Sequence, residues 1–135
     1  MKTLEKDLWQ KVKKALPVTP LLHYQRMELS EASGIPDLNI CWKGFDVWVE
    51  LKIFDHSGNK VDFRPEQVSW IHKRVEAGGF VYILAYDNKA NISLVVDGYE
   101  VFEFAQKGLK GTMKSQAFSK VQGAVDYILF TCADL

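Results

Sequence analysis

The stretch SGIPDLNICWKGFDVWVELK, residues 33–52, decides how this chain folds. Two apolar, strand-like runs meet at Lys43-Gly44, and each carries charge where a core strand would carry none. Side chains alternate faces along a strand. In residues 45–54, Val47, Val49, Leu51 and Ile53 take one face, read as the core side, and Asp46, Trp48, Glu50 and Lys52 take the other. In residues 37–42, Leu38, Ile40 and Trp42 share a face, with Asp37, Asn39 and Cys41 opposite.

A two-residue hairpin turn at Lys43-Gly44 sets the register: Trp42 with Phe45, Cys41 with Asp46, Ile40 with Val47, Leu38 with Val49. The apolar residues then match on one face, which supports the register independently. The same count sets Asp37 opposite Glu50, with Cβ atoms about 4.5–5.5 Å apart. Lys52 follows on the Glu50 face, about 7 Å away by strand rise. A Glu-x-Lys pair on an exposed strand face is commonplace, but an opposed Asp37 is not something such a strand requires. Facing carboxylates repel unless a cation sits between them, and hard ions such as Mg²⁺ are held by one or two carboxylates plus water and phosphate oxygens.

Outward from the hairpin, residues 3–16 read as an amphipathic helix, with Leu4, Leu8, Trp9, Val12 and Leu16 on one stripe and Pro17 and Pro20 beyond it. Residues 23–29 read as a short strand and 55–63 as a loop. A second helix begins at Pro65, repeats Val68, Ile71 and Val75 on one face, and stops at Gly78-Gly79. Residues 80–86, FVYILAY, form a short, continuously apolar run of the kind that is covered on both faces. A strand over 92–96 and helices near 101–105 and 124–130 complete the reading. The order predicts one α/β domain spanning 1–135, with its core over about 3–96 and an extension over 97–135.

Composition bounds the function. The chain has 135 residues with 17 basic and 17 acidic side chains, which argues against coating nucleic acid by bulk charge. Lysines are nevertheless clustered, at Lys2, Lys6, Lys11, Lys13 and Lys14 and again at Lys107, Lys110, Lys114 and Lys120. Cys41 and Cys132 lack metal-ligand spacing, and Cys41 reads as a small core residue. No run has the length of a membrane span, and a soluble, cytoplasmic protein is expected.

Gly34-Ile35-Pro36-Asp37, Trp48-Val49-Glu50-Leu51-Lys52 and Arg64-Pro65-Glu66-Gln67, ahead of Trp70 and Gly78-Gly79, carry a family resemblance. Over residues 3–86 the chain resembles the PD-(D/E)XK nuclease superfamily, within it the VRR-NUC and Holliday-junction-resolvase-like branch that includes small phage nucleases. The resemblance implies a restriction-endonuclease-like α/β fold with an αβββαβ core and a mixed central sheet. It also implies an endonuclease that hydrolyses DNA phosphodiester bonds with Mg²⁺ or Mn²⁺ and no small-molecule cofactor. Asp37, Glu50 and the Leu51 backbone carbonyl would hold the metal, and Lys52 would orient water and meet the developing charge. Gln67 matches an accessory position, and Glu5 matches a glutamate that the family often adds from its first helix. Glu5 is read as part of the buried stripe ahead of Leu8, Trp9 and Val12, although a first-turn carboxylate also complements the helix dipole.

Lys107, Lys110, Lys114 and Lys120 are the candidate DNA contacts. Trp48 is a candidate for base stacking or for packing beneath the first helix. His56 reads as a loop residue within reach of phosphate, Glu28 and Glu31 as other carboxylates near Asp37, and His23 and His72 as residues without a legible partner. Branched DNA is the expected substrate and a homodimer the expected assembly, since two symmetric cuts need two sites. A site-specific nicking, homing or restriction-type enzyme, or a non-catalytic nucleic-acid-binding module on the same fold, are the alternatives.

Overall fold

The Lys43-Gly44 turn forms as a two-residue hairpin, with φ +52° at Lys43 and +88° at Gly44. Positive φ at both positions gives the backbone twist that joins antiparallel strands without splaying them. It joins β2 (Leu38–Trp42) to β3 (Phe45–Phe54) in the expected register, from Trp42↔Phe45 to Leu38↔Val49. The protein is described by a computed structural model for residues 2–27, 33–54, 61–87, 89–108 and 116–133.

The chain runs α1 (Lys2–Ala15), β1 (Leu22–Arg26), β2, β3, α2 (Pro65–Glu76), β4 (Phe80–Asp87), β5 (Ile92–Asp97), α3 (Val101–Lys107), β6 (Gln116–Phe118) and α4 (Val121–Ala133). The first six elements are the expected αβββαβ order. The strands make one mixed sheet in the order β1-β2-β3-β4-β5-β6. Among the described strands only β3 and β4 pair in parallel, as they must when α2 carries the chain back across the sheet. β1 lies over Leu22–Arg26 rather than 23–29, β6 has no counterpart in the sequence reading, and α4 begins before residue 124. A three-residue strand such as β6 has no period to detect and is created by its pairing with Ser93–Val95.

The sheet is covered on both faces, which corrects the reading of a single core side. On one face, Val47, Val49, Tyr82, Leu84 and Val95 pack under α1 and α4, through Leu8, Val12, Val125 and Ile128. On the other, Val81, Ile83, Ala85 and Val96 pack under α2 and α3, through Ile71, Val101 and Phe104. Burial of each such side chain stabilises by roughly 1.5–3 kcal/mol. Trp48 therefore packs edge-to-face on Trp70 of α2, with ring centroids 5.1 Å apart, and not beneath α1. The second layer stops short of the hairpin, where Cys41 and Asp46 are exposed. Cys41 is thus a surface thiol, contrary to its apolar-strand reading, while Cys132 is buried.

Candidate active site

Strand β3 runs on past the last β2 pair, so Glu50–Phe54 overhang the edge where β2 begins. The hairpin count continues through Asp37 opposite Glu50 to Pro36 opposite Leu51. Asp37 Oδ2 accepts from the Leu51 N–H at 2.9 Å, bridging the strands where backbone pairing ends. A strand residue sends its N–H and C=O to the same side. The Leu51 carbonyl therefore also faces this edge, opposite a proline with no N–H to offer it. The backbone of Asp37 is fixed from the other side, its carbonyl accepting from Met27 N–H at 2.7 Å.

Glycine at position 34 brings this loop against α2. Gly34 has φ +73°, and a Cβ there would collide with the Glu66 carbonyl in the first turn of α2. The close approach sets Asp37 and Glu50 beside Gln67 across a shared cavity of about 250 Å³, also lined by Leu51, Lys52 and Glu5.

Gln67 organises the floor of that cavity. It is buried, its Nε2 donating to Glu50 Oε2 at 2.8 Å. Its Oε1 accepts from Lys52 Nζ at 2.9 Å and from the Arg64 backbone N–H at 3.0 Å. The second of these is a helix-capping contact that satisfies a donor at the start of α2. Lys52 Nζ also stands 3.4 Å from Glu50 Oε2 and 4.5 Å from the Phe63 ring centroid. The ammonium is held between an amide, a carboxylate and an aromatic face.

Burial sets the electrostatics. Glu50 is only 2% exposed, and burial followed by the nearby Asp37 charge pushes its carboxyl up to about 8. Burial also raises the Asp37 carboxyl; the Leu51 N–H, Lys52 and Arg26 pull it the other way, and Glu5 adds to the rise. A buried carboxylate and a half-buried one that resist joint ionisation form a site that favours added positive charge. The donors that could hold it are hard oxygens: the Asp37 and Glu50 carboxylates and the Leu51 carbonyl. That set fits Mg²⁺ or Mn²⁺ completed by water and phosphate oxygens. Among the described residues, no three His, Cys, Asp or Glu side chains form an all-protein metal cage.

The other expected residues sort by position. Glu5 lines the cavity, as the resemblance implies, but is exposed at its mouth and is not part of the buried stripe. Leu8, one turn later, is the first α1 side chain that the sheet covers. Lys107 ends α3 and Lys120 precedes α4, helices on opposite faces of the sheet, so these two lysines do not form one surface. Lys110, Lys114, His56, Glu28 and Glu31 lie outside the described residues. His72 has a partner after all, Glu76 one turn along α2, a pair its i, i+4 spacing could have disclosed. Arg26 and Arg64, which also line the cavity, and Phe63 beneath Lys52 were not singled out in the sequence. Arg64 was findable as the residue that Gln67 caps, whereas Arg26 reaches the site only through the β1–β2 pairing.

No protein-family model matches the chain, and no curated protein matches it in sequence. Solved structures do. Hjc of Archaeoglobus fulgidus, a Holliday junction resolvase from an archaeal hyperthermophile, superposes with a TM-score of 0.50 at 15% identity, over 90% of each chain. At that identity the likeness is one of fold, and the six-stranded mixed α/β domain described here shares the fold of that protein. No helix among the described residues is long and apolar enough to cross a membrane.

Proposed function

We propose that this protein is a metal-dependent endonuclease of the PD-(D/E)XK type, acting on DNA and selective for branched structures. The observation that carries the reading is the convergence of Asp37, Glu50 and Lys52 on one cavity, with Gln67 bonded to both Glu50 and Lys52. A binding scaffold has no need to set a half-buried carboxylate against a buried one. Asp37, Glu50 and the Leu51 carbonyl would hold Mg²⁺ or Mn²⁺. Such an ion supplies Lewis-acid polarisation of a phosphate oxygen and a more acidic water.

The chain's own residues do the rest. Lys52 brings a positive charge and hydrogen-bond donors to the phosphate oxygens, where negative charge grows as water attacks phosphorus and the ester P–O bond breaks. Gln67 fixes the Lys52 ammonium and one Glu50 oxygen, while the Glu50 carboxyl is also hydrogen-bonded to the Asp37 side chain. Glu5, at the mouth, is positioned to receive a proton or to order water.

Branched DNA as substrate and a homodimer as the working form rest on the shared fold with a junction resolvase. The test is cleavage with Mg²⁺ or Mn²⁺ of labelled four-way junction, flap, linear duplex and single strand. Cutting that requires metal and favours the junction supports the reading. Equal cutting of plain duplex would point to a nicking or restriction-type enzyme. Binding without cutting at any metal concentration would leave only the non-catalytic module.

A further inference from the structure

A second cleft, of about 510 Å³, opens between the C-terminal half of α1 and the turn that enters α4. Lys11, Lys14 and Lys120 line it together with Tyr86, Asn91, Ser119 and Gln122, whose amide also donates to Asp126; among the described residues no carboxylate lines the cleft itself. All three lysines are exposed, and among the described residues none is taken up in an ion pair. Its walls are fixed. Tyr86 donates to Asn91 Oδ1, and Gln122 Nε2 ties α4 to the Ala15 carbonyl that ends α1. The chain has no net charge, so three cations gathered around one cleft are a local feature and not part of a general surplus.

The cleft also stands in a definite relation to the candidate active site. Tyr86 pairs with Ile53, next to Lys52, so the cleft and the catalytic cavity draw on residues near the same end of the parallel pair β3–β4. Helix α1 connects them, with Glu5 in the cavity and Lys11 and Lys14 in the cleft. At 1.5 Å per residue, Glu5 to Lys14 spans about 13 Å along the helix axis, so the cleft lies beyond the catalytic cavity along a bound backbone.

We propose that this cleft is a second backbone site for the DNA substrate, in which Lys11, Lys14 and Lys120 hold backbone phosphates away from the bond that is cut. The proposal rests on the nuclease reading for the identity of its ligand. It makes α1 the spacer between chemistry and grip. The contact carries no sequence information and supplies affinity through counterion release.

The test separates grip from chemistry by measuring binding with Ca²⁺ in place of Mg²⁺, on a labelled junction and on a duplex, across a salt series. Reversing all three lysines (Lys11→Glu, Lys14→Glu, Lys120→Glu) is expected to weaken binding about tenfold or more. It should also reduce the slope of log K against log salt by about two to three, near one per phosphate contact. Reversing Lys43 and Lys73, at the hairpin turn and on α2, should change affinity less than about twofold. Single-turnover cleavage at saturating DNA should stay within about twofold of wild type, because the cavity is untouched. An unchanged affinity and salt slope in the triple variant, with its fold intact by circular dichroism, would overturn the proposal, as would an equal loss from the Lys43 and Lys73 pair. Wild-type protein that binds DNA but never cuts it would overturn the nuclease reading alone, and the same binding data would still decide the cleft.

Discussion

Gln67 Nε2 donates to Glu50 Oε2 at 2.8 Å, while the other end of the same amide holds Lys52 Nζ at 2.9 Å. One side chain thus sets the relative position of a metal-ligand candidate and the lysine beside it, and it also caps the helix that carries it. Gln67→Ala should cost about 1 kcal/mol of stability through the lost cap and about 10–100-fold in rate through loosened partners. Chemical denaturation and single-turnover cleavage measure the two effects separately. A variant with the stability loss but an unchanged rate would reduce Gln67 to a cap.

Lys52→Ala should leave metal affinity close to wild type and slow cleavage by about 10²–10⁴-fold, the range for losing one charge-stabilising or proton-handling group. Titration calorimetry with Mn²⁺ and a cleavage time course report these independently. Cleavage at the wild-type rate would remove Lys52 from the chemistry.

The hairpin, the αβββαβ order and the Asp37–Glu50 opposition were legible because a strand has a strict period of two and the Lys43-Gly44 turn admits one register. Gln67 was reachable only through the family resemblance, since its spacing from Lys52 spans a loop whose path no local rule fixes. Glu5 was found for an incomplete reason. Its spacing ahead of Leu8, Trp9 and Val12 suggested burial, but coverage depends on where the sheet ends, which periodicity cannot report. Cys41 and Trp48 were misread for a related reason: strand alternation separates two faces but does not say which helix covers each, or how far along it reaches.

That correction is itself testable. Cys41 is exposed and Cys132 fully buried in the α1–α4 layer. A thiol reagent should therefore modify the native protein at Cys41 alone and reach Cys132 only after unfolding. Mass spectrometry of the labelled protein identifies the site, and rapid native labelling at Cys132 would contradict the packing of α4.

Gly34→Ala probes the approach of the motif loop to α2. A side chain there must adopt φ +73° and displace the Glu66 carbonyl. The expected cost is about 1–3 kcal/mol, together with weakened metal binding as Asp37 moves away from Glu50. Wild-type stability in denaturant would show that the loop yields freely.

The Glu50 carboxyl gives a pH dependence with a definite sign. Its folded-state value of about 8 lies above its ordinary 4.5, so the metal-free fold favours the protonated acid. That stabilisation is fully present below about 4.5 and is lost as pH rises through about 8. Asp37 contributes in the same direction. Glu50→Gln should flatten the decline, raising the metal-free melting temperature at pH 8 relative to wild type. Metal must displace the Glu50 proton, so Mn²⁺ affinity should rise about tenfold per pH unit between about pH 6 and 8. Calorimetry in buffers of different ionisation heat should detect the released proton, and a pH-independent affinity would argue against Glu50 as a ligand.

The central claim is that Asp37 and Glu50 together hold the ion that makes phosphodiester cleavage possible. The most direct measurement is single-turnover cleavage of a labelled four-way junction with Mn²⁺, by wild-type protein, Asp37→Asn and Glu50→Gln, each with a chelator control. The account predicts metal-dependent cutting by the wild type and none above the chelator background by either folded variant. Undiminished cutting by either one would contradict it.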